Sequence, residues 1–127
     1  MRTALFLFLF CTVSLSVEPV LDGIVARVND DIISFSQLRA EIAPQERTLR
    51  QMLEGKDLVD AIKEFRKSQI NRMIDRLLLL QELKRQAFPL PADATDELID
   101  TTIKDRFSSD RQQWLKRLKP NATIKIY

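Results

Sequence analysis

The sequence predicts a mainly α-helical domain with a small β-sheet, in which an N-terminal β-hairpin and a C-terminal strand pack on about five helices. Three observations support this fold class. Two short β-branched runs flank a turn-like segment near the start. Residues 58–87 contain no glycine or proline and carry apolar side chains at helical spacing. The last residues, 122–127, alternate apolar and polar side chains, as a half-buried strand does.

The first predicted element is the β-hairpin. Residues 24–28 and 32–35 are rich in β-branched side chains, and residues 29–31 between them are Asn-Asp-Asp, types that readily adopt turn conformations. A two-stranded hairpin alone is only marginally stable in water. We therefore expect the C-terminal run 122–127 to pair with the hairpin, which would bring both ends of the domain into one sheet.

Two short helices are predicted after the hairpin. Ser36 is suited to cap the first helix, which has Leu38 and Ile42 on its apolar face. Pro44 is suited to the first turn of a second helix, and Gly55 to its C-terminal cap.

The longest predicted helix covers about residues 57–87 and begins at Asp57. Four consecutive leucines, residues 77–80, indicate a turn that is buried nearly all round. Residues 88–91, Phe-Pro-Leu-Pro, should end this helix, because proline disfavours helical conformation in the residue before it. Its apolar side chains recur at helical spacing, at Ile62, Phe65, Ile70, Met73, Ile74, Leu77 and Leu80.

Two further helices complete the prediction. Thr95 is a suitable N-cap for a helix that ends near Phe107. Ser109 and Gln112 have the spacing of a capping box at the start of a last helix. Pro120 should end that helix before the final strand.

Residues 1–16 are predicted to be a cleavable signal peptide. Arg2 provides a basic start, residues 3–13 are almost entirely apolar, and Ser14 and Ser16 place small side chains where a signal peptidase requires them. We expect cleavage between Ser16 and Val17, and hence a periplasmic protein. The apolar run is shorter than the about 20 residues that a bilayer span needs, so an uncleaved anchor is the less favoured alternative.

Residues 17–127 are then expected to form a single domain. The hairpin and first helices occupy residues 24–107, and a returning helix and strand occupy residues 109–127. The chain has no histidine, and its only cysteine, Cys11, lies in the predicted signal peptide. The domain therefore lacks disulfides, thiol nucleophiles, imidazole chemistry and the usual ligands of transition metals.

Other features also argue against catalysis. The whole chain has two glycines, so it contains no glycine-rich phosphate loop. The carboxylates of Asp96, Glu97 and Asp100 cluster at a predicted helix start, where stabilising the helix dipole is their expected role. We expect no enzyme activity, no cofactor, no metal and no nucleic-acid partner.

Apolar and basic side chains provide the candidate binding residues. Met52, Phe65, Met73 and Phe88 are candidates for contact with client polypeptides, since methionine adapts its shape to varied partners. Their periodicity alone favours the alternative that they belong to the core. All charged side chains from Arg111 onward are basic, which is typical of a solvated helix face or, alternatively, of a surface for an anionic partner.

Four segments resemble the N-terminal domain of the SurA family of periplasmic chaperones and related parvulin-type peptidyl-prolyl isomerases. Residues 24–38, IVARVNDDIISFSQL, are similar to the hairpin and capped helix that open that domain. Residues 74–83, IDRLLLLQEL, resemble its long helix, and residues 94–100, ATDELID, its next helix start. Residues 114–127, WLKRLKPNATIKIY, are similar to the helix and strand that return to the N-terminal domain.

The resemblance implies an ATP-independent chaperone that binds unfolded or nascent envelope and outer-membrane proteins. In the family, one or two parvulin domains lie between the N-terminal helices and the returning tail. Here Phe107 is followed almost directly by Ser109, so the isomerase domain is absent and no catalytic residue can be assigned. Two alternatives remain at this point, a dedicated non-catalytic envelope interaction subunit and an accessory to a separate isomerase.

Overall fold

The computed structural model describes residues 22–127, so the predicted signal peptide and its cleavage position between Ser16 and Val17 lie outside the described residues. The predicted fold class, mainly α with a small sheet, is confirmed. The described part has four α-helices and one short 3₁₀-helix, whereas about five helices were predicted. The difference arises mainly because Pro44 lies inside one helix instead of opening a second. The elements are β1 (Ile24–Val28), β2 (Asp31–Ser34), α1 (Phe35–Met52), α2 (Gly55–Arg85), α3 (Asp96–Phe107), α4 (Arg111–Leu118), the 3₁₀-helix Lys119–Asn121 and β3 (Ile124–Ile126).

The two ends of the described chain meet in one antiparallel sheet with strand order β2-β1-β3. Asn29, in the turn between β1 and β2, has a φ of 54°, a left-handed conformation that asparagine adopts more readily than most residues. β3 pairs with β1, and the register places Ile126 opposite Ala26 and Ile124 opposite Val28. The predicted hairpin and its pairing with the C-terminal strand are therefore both confirmed.

Asn29 also joins three parts of the fold. Its backbone N–H donates to the Thr123 carbonyl at 2.8 Å, and its side-chain oxygen accepts from the Thr123 N–H at 3.0 Å. Its amide nitrogen donates to Gln81 Oε1 at 2.8 Å, and Gln81 Nε2 in turn donates to the Val28 carbonyl at 2.9 Å. One turn residue thus fixes the sheet to the tail and to α2.

α1 corrects two of the predictions. Its N-cap is Ser34 rather than Ser36, because Ser34 still has the extended backbone of β2 and accepts from the Gln37 N–H in a capping box. Pro44 does not separate two helices but lies inside α1. Beyond Pro44 the helix is attached to α2, since Glu46 pairs with Arg66 at 2.5 Å and Leu49 is partly buried, and these contacts offset the hydrogen bond that proline cannot donate.

The link between α1 and α2 corrects the role of Gly55. Leu53 and Glu54 are extended, and Gly55 opens α2 instead of capping the helix before it. Its φ is 59°, which glycine accommodates without the steric cost of a β-carbon. α2 ends at Arg85, slightly before the predicted end, and Ala87 then has a left-handed φ of 66°.

The last two helices have well-defined caps. Thr95 caps α3 as predicted, with its hydroxyl accepting from the Leu98 N–H at 3.1 Å. α4 is capped by Asp110 and not by Ser109. The left-handed turn at Ser108 shifts the extended cap position by one residue, and Asp110 then accepts from the Gln113 N–H at 2.9 Å.

The core lies where the sheet meets the second half of α2, α3 and α4. α1 adds no residue to this cluster, and its buried Leu38 and Ile42, like Ile62 of α2, lie outside it. α1 and the first half of α2 therefore form a helix pair with few buried side chains. The core residues are Ala26, Val28, Ile33, Ile74, Leu78, Leu79, Leu83, Ala94, Ile99, Ile103, Trp114 and Leu115.

The four leucines of α2 agree with the sequence pattern, since Leu78 and Leu79 are buried and Leu77 and Leu80 pack partly against the core. Within residues 22–127, no helix has both the length and the apolar character that crossing a membrane requires.

Candidate functional site

The structure places the four predicted client-contact residues at separate positions. Met52 ends α1 and is 73% exposed, whereas Phe65 on α2 is half-buried. Met73 packs partly against the core, and Phe88 follows the end of α2. Because α2 has 31 residues, its two ends are about 45 Å apart, and Met52 and Phe88 cannot belong to one groove. Contact of any of these residues with clients stays a prediction.

The ring of Phe88 packs against other side chains of the domain. Its ring meets Phe107 edge-to-face with centroids 5.4 Å apart, and the Arg106 guanidinium lies 5.5 Å from the ring centroid. Phe107 in turn packs edge-to-face on Trp114 at 5.0 Å. These aromatic contacts stabilise the junction of the α2–α3 loop with α3 and α4.

A groove runs along the first half of α2, with a volume of about 600 Å³. Its α2 residues recur at intervals of three and four, which places them on one helix face over a length of about 20 Å. One residue from the end of α1 and one from β3 complete the lining. This α2 groove is lined by Arg50, Leu58, Val59, Ile62, Lys63, Arg66, Lys67, Ile70, Asn71 and Ile126.

The α2 groove combines an apolar floor with uncompensated positive charge. Val59 is 64% exposed and Ile126 is 53% exposed, so apolar surface is accessible to a partner. All charged lining residues are cations. Arg66 pairs with Glu46 at 2.5 Å, but within residues 22–127 no carboxylate lies within 4.0 Å of the other three, which are Arg50, Lys63 and Lys67.

A second groove, of about 560 Å³, differs in its electrostatics. Asp96 lies 3.6 Å from Arg72 and 3.8 Å from Arg76, so the cations of this groove have a carboxylate close to them. Met73 is the one predicted client-contact residue in its lining. This β2 groove is lined by Ile32, Ile33, Gln37, Ala40, Glu41, Gln69, Arg72, Met73, Arg76, Leu77, Leu80, Ala92, Asp93 and Asp96.

The basic C-terminal segment is largely neutralised within the fold. Arg111 binds Asp100 at 2.8 Å and Asp96 at 3.2 Å. Lys119 Nζ lies 2.8 Å from Asp75 Oδ1. Arg111, Arg117 and Lys119 thus attach α4 and its C-terminal end to α2 and α3. Lys116 and Lys125 are exposed and have no carboxylate within 4.0 Å in residues 22–127, which agrees with a solvated face.

Glu82 is the charged centre of this attachment. Its side chain is 6% exposed, and it accepts from Arg85 at 2.6 and 2.9 Å and from Gln86 at 3.0 Å. Arg117 of α4 lies 3.4 Å away. Hydrogen bonding from Arg85 is the main cause that lowers the pKa of Glu82 from 4.5 to about 2, against the opposing effect of burial.

The family model of the SurA-like N-terminal domain matches residues 3–123, nearly the whole chain. The chain belongs to the SurA-like N-terminal domain family. Searches of curated proteins and of solved structures gave no match. In this SurA-like domain only residues 108–110 separate α3 from α4, so no isomerase domain interrupts the described part at that point.

Sequence reasoning missed the main lining residues of the α2 groove. Val59, Lys63 and Lys67 follow one another at intervals of four, so the sequence shows that they lie on one helix face. This spacing alone does not show whether the face is buried or lines an open groove. Ile126 was recognised only as a strand residue. Its place beside α2 depends on the return of the tail to β1, which periodicity cannot reveal.

Proposed function

We propose that this SurA-like N-terminal domain acts in the periplasm as an ATP-independent chaperone, holding unfolded or nascent envelope proteins in its α2 groove. Family membership supports the chaperone class. The single observation that carries the proposal is the α2 groove, with its accessible apolar floor and its three cations that have no carboxylate within 4.0 Å among residues 22–127. Apolar surface beside cations without a partner is suited to polypeptide segments that carry both apolar and acidic side chains.

The proposed mechanism is reversible shielding of apolar client segments. Burying apolar area removes it from water and from other unfolded chains, and this needs no nucleotide and no covalent step. We further propose that the domain has no catalytic activity of its own, since its sequence contains no histidine and only residues 108–110 separate α3 from α4, where relatives carry the isomerase domain. The rate of prolyl isomerisation in a test peptide should be unchanged by the protein.

Substitution of one groove residue tests the proposal. Val59→Asp puts a carboxylate on the exposed apolar floor and removes the apolar area that a client would cover. We expect about tenfold more of the variant than of the unchanged protein to be needed to prevent aggregation of an unfolded outer-membrane protein, measured by light scattering.

Leu98→Asp provides the matched control. Leu98 is 44% exposed on α3 and lines neither groove, so this variant should suppress aggregation as the unchanged protein does. Both sites are exposed, and thermal unfolding should change little. Equal suppression by all three proteins, or none by the unchanged protein, would contradict the proposal.

The alternative of a dedicated interaction subunit docking through the basic C-terminal helix has less support. Arg111, Arg117 and Lys119 already have carboxylate partners inside the domain. Capture of one stoichiometric partner whose release depends on salt would favour that alternative over broad client binding.

A further inference from the structure

We propose that the client enters as an extended segment that adds a fourth strand to the outer edge of β3, with its carboxylates facing the cations of the α2 groove. This inference rests on the proposed function and names the class of polypeptide that the site selects. The predicted ligand is a segment whose apolar and acidic side chains share the strand face that meets the groove, so that they occupy every second position of its sequence.

The register of β3 leaves hydrogen-bonding groups directed outward. Tyr127 N–H donates to the Val25 carbonyl at 2.9 Å, and Asn29 N–H donates to the Thr123 carbonyl at 2.8 Å. Because backbone groups in an antiparallel ladder alternate in direction, those of Ile124 and Ile126 point away from β1. Within residues 22–127 no strand pairs with this side of β3. The edge therefore offers two N–H groups and two carbonyls to an added strand.

The same edge continues the apolar inner face of the sheet. Ala26 and Val28 of β1 are fully buried, and their partners across the ladder are Ile126 and Ile124. Exposure rises from 0% at Ala26 to 53% at Ile126, so the apolar face of the sheet is covered at β1 but open to solvent at β3. Ile126 also lines the α2 groove. A strand added at this edge would place one set of its side chains against that groove.

The charges of the α2 groove select the polar side chains of such a segment. Arg50, Lys63 and Lys67 lie beside the apolar floor without a carboxylate within 4.0 Å in the described part of the chain. Carboxylates of a client would supply the missing counter-charges, whereas lysines would add repulsion. An acidic segment should therefore bind more tightly than a basic one of the same apolar content.

Calorimetry with synthetic peptides tests both parts of the proposal on the protein beginning at Val17. The first probe is a short peptide with valine and glutamate in turn at every second position and threonine between them, so that valine and glutamate share one face of the strand. The second has lysine in place of glutamate, and the third is the glutamate peptide with N-methyl groups on the backbone nitrogens of one edge. We expect the first to bind about tenfold more tightly than either of the others, because three exposed ion pairs or a few edge hydrogen bonds are worth that much.

Protein variants locate the site. Lys63→Glu with Lys67→Glu should abolish the preference for the acidic peptide, while the control Lys104→Glu with Lys116→Glu, on α3 and α4, should keep it. Ile124→Pro removes an outward N–H and should weaken binding about tenfold, whereas Ile124→Val keeps that N–H and should bind normally. Thermal unfolding checks that each variant folds, and the peptide comparison needs no variant at all.

Several outcomes would overturn the inference. Equal binding of the N-methylated peptide excludes strand addition, and equal binding of the lysine peptide excludes selection by charge. Binding that appears only after residues 17–21 are deleted would show that the chain's own N-terminal segment occupies the site. Self-association that Ile124→Pro abolishes would assign the edge to a second copy.

The inference and the proposed function can fail separately. If the protein suppresses aggregation but the three peptides bind alike, the chaperone role stands and the strand site does not. If the glutamate peptide binds as expected but aggregation is not suppressed, the strand site stands and the chaperone role does not.

Discussion

At the scale of single residues, Glu82 should make the stability of the fold depend on pH. It is nearly buried, bonded to Arg85 and Gln86 of its own helix and close to Arg117 of α4. Removing the charge would weaken the hydrogen bonds that Arg85 and Gln86 donate to this buried carboxylate.

Glu82→Gln should lower the free energy of unfolding at neutral pH by about 3 kcal/mol, which corresponds to the shift in the pKa of Glu82 from 4.5 to about 2. The folded pKa lies below the unfolded one, so this stabilisation is complete above about pH 4.5 and is lost as the pH falls toward 2. Urea unfolding at a series of pH values measures both effects.

Glu97→Gln is the control for that experiment. Glu97 is exposed on α3 and has no cation within 4.0 Å in residues 22–127, so the loss of its charge should change stability little. If the stability of Glu82→Gln depended on pH as that of the unchanged protein does between pH 4.5 and 2, other titrating groups would be responsible for the dependence.

At the scale of elements, local signals predicted the strands and α3 well. The β-branched runs beside an asparagine turn and the cap at Thr95 depend on neighbours in the chain, and the structure has them where expected. Pro44 was misleading because its local preference to begin a helix competes with distant packing. Only the tertiary fold shows that Glu46, which follows Pro44 in α1, pairs with Arg66 of α2.

The candidate site was less predictable than the elements. A helical stripe of apolar residues looks the same in sequence whether another element covers it or not, so Val59 could not be distinguished from Ile62. In the structure Ile62 is buried and Val59 is exposed. The difference lies in where α1 and β3 meet α2, which depends on contacts between distant residues.

Removal of β3 tests the element that joins the two ends of the domain. Deleting residues 122–127 eliminates the hydrogen bonds of Thr123 and Tyr127 to the β1 side of the sheet and uncovers Ala26 and Val28. We expect the free energy of unfolding to fall by about 2–4 kcal/mol, measured by urea denaturation.

Ile126→Thr keeps the strand and its backbone bonds, so its loss of stability should be much smaller than that of the deletion. An unfolding midpoint of the deletion variant equal to that of the unchanged protein would mean that pairing of β3 with β1 contributes nothing to stability.

At the scale of the whole molecule, the proposed periplasmic role requires export. The protein recovered from the periplasm should begin at Val17, as determined by N-terminal sequencing. Ser16→Phe should leave the precursor uncut, because the residue before the cleaved bond must be small. Leu15→Phe changes a position that tolerates bulk and should be processed normally. A periplasmic product that still begins at Met1 would contradict the predicted cleavage.

The bonds between Asn29 and Thr123 also impose an order on assembly. They join residues 94 positions apart, so a chain made from its N-terminus completes β1 long before β3 is available to pair with it. Closing so large a loop is entropically slow compared with forming the local contacts of α1 and α2. The α2 residues that we propose for client binding can thus fold before β3 is complete, whereas Ile126 and the sheet edge join them only after the last residues have been made.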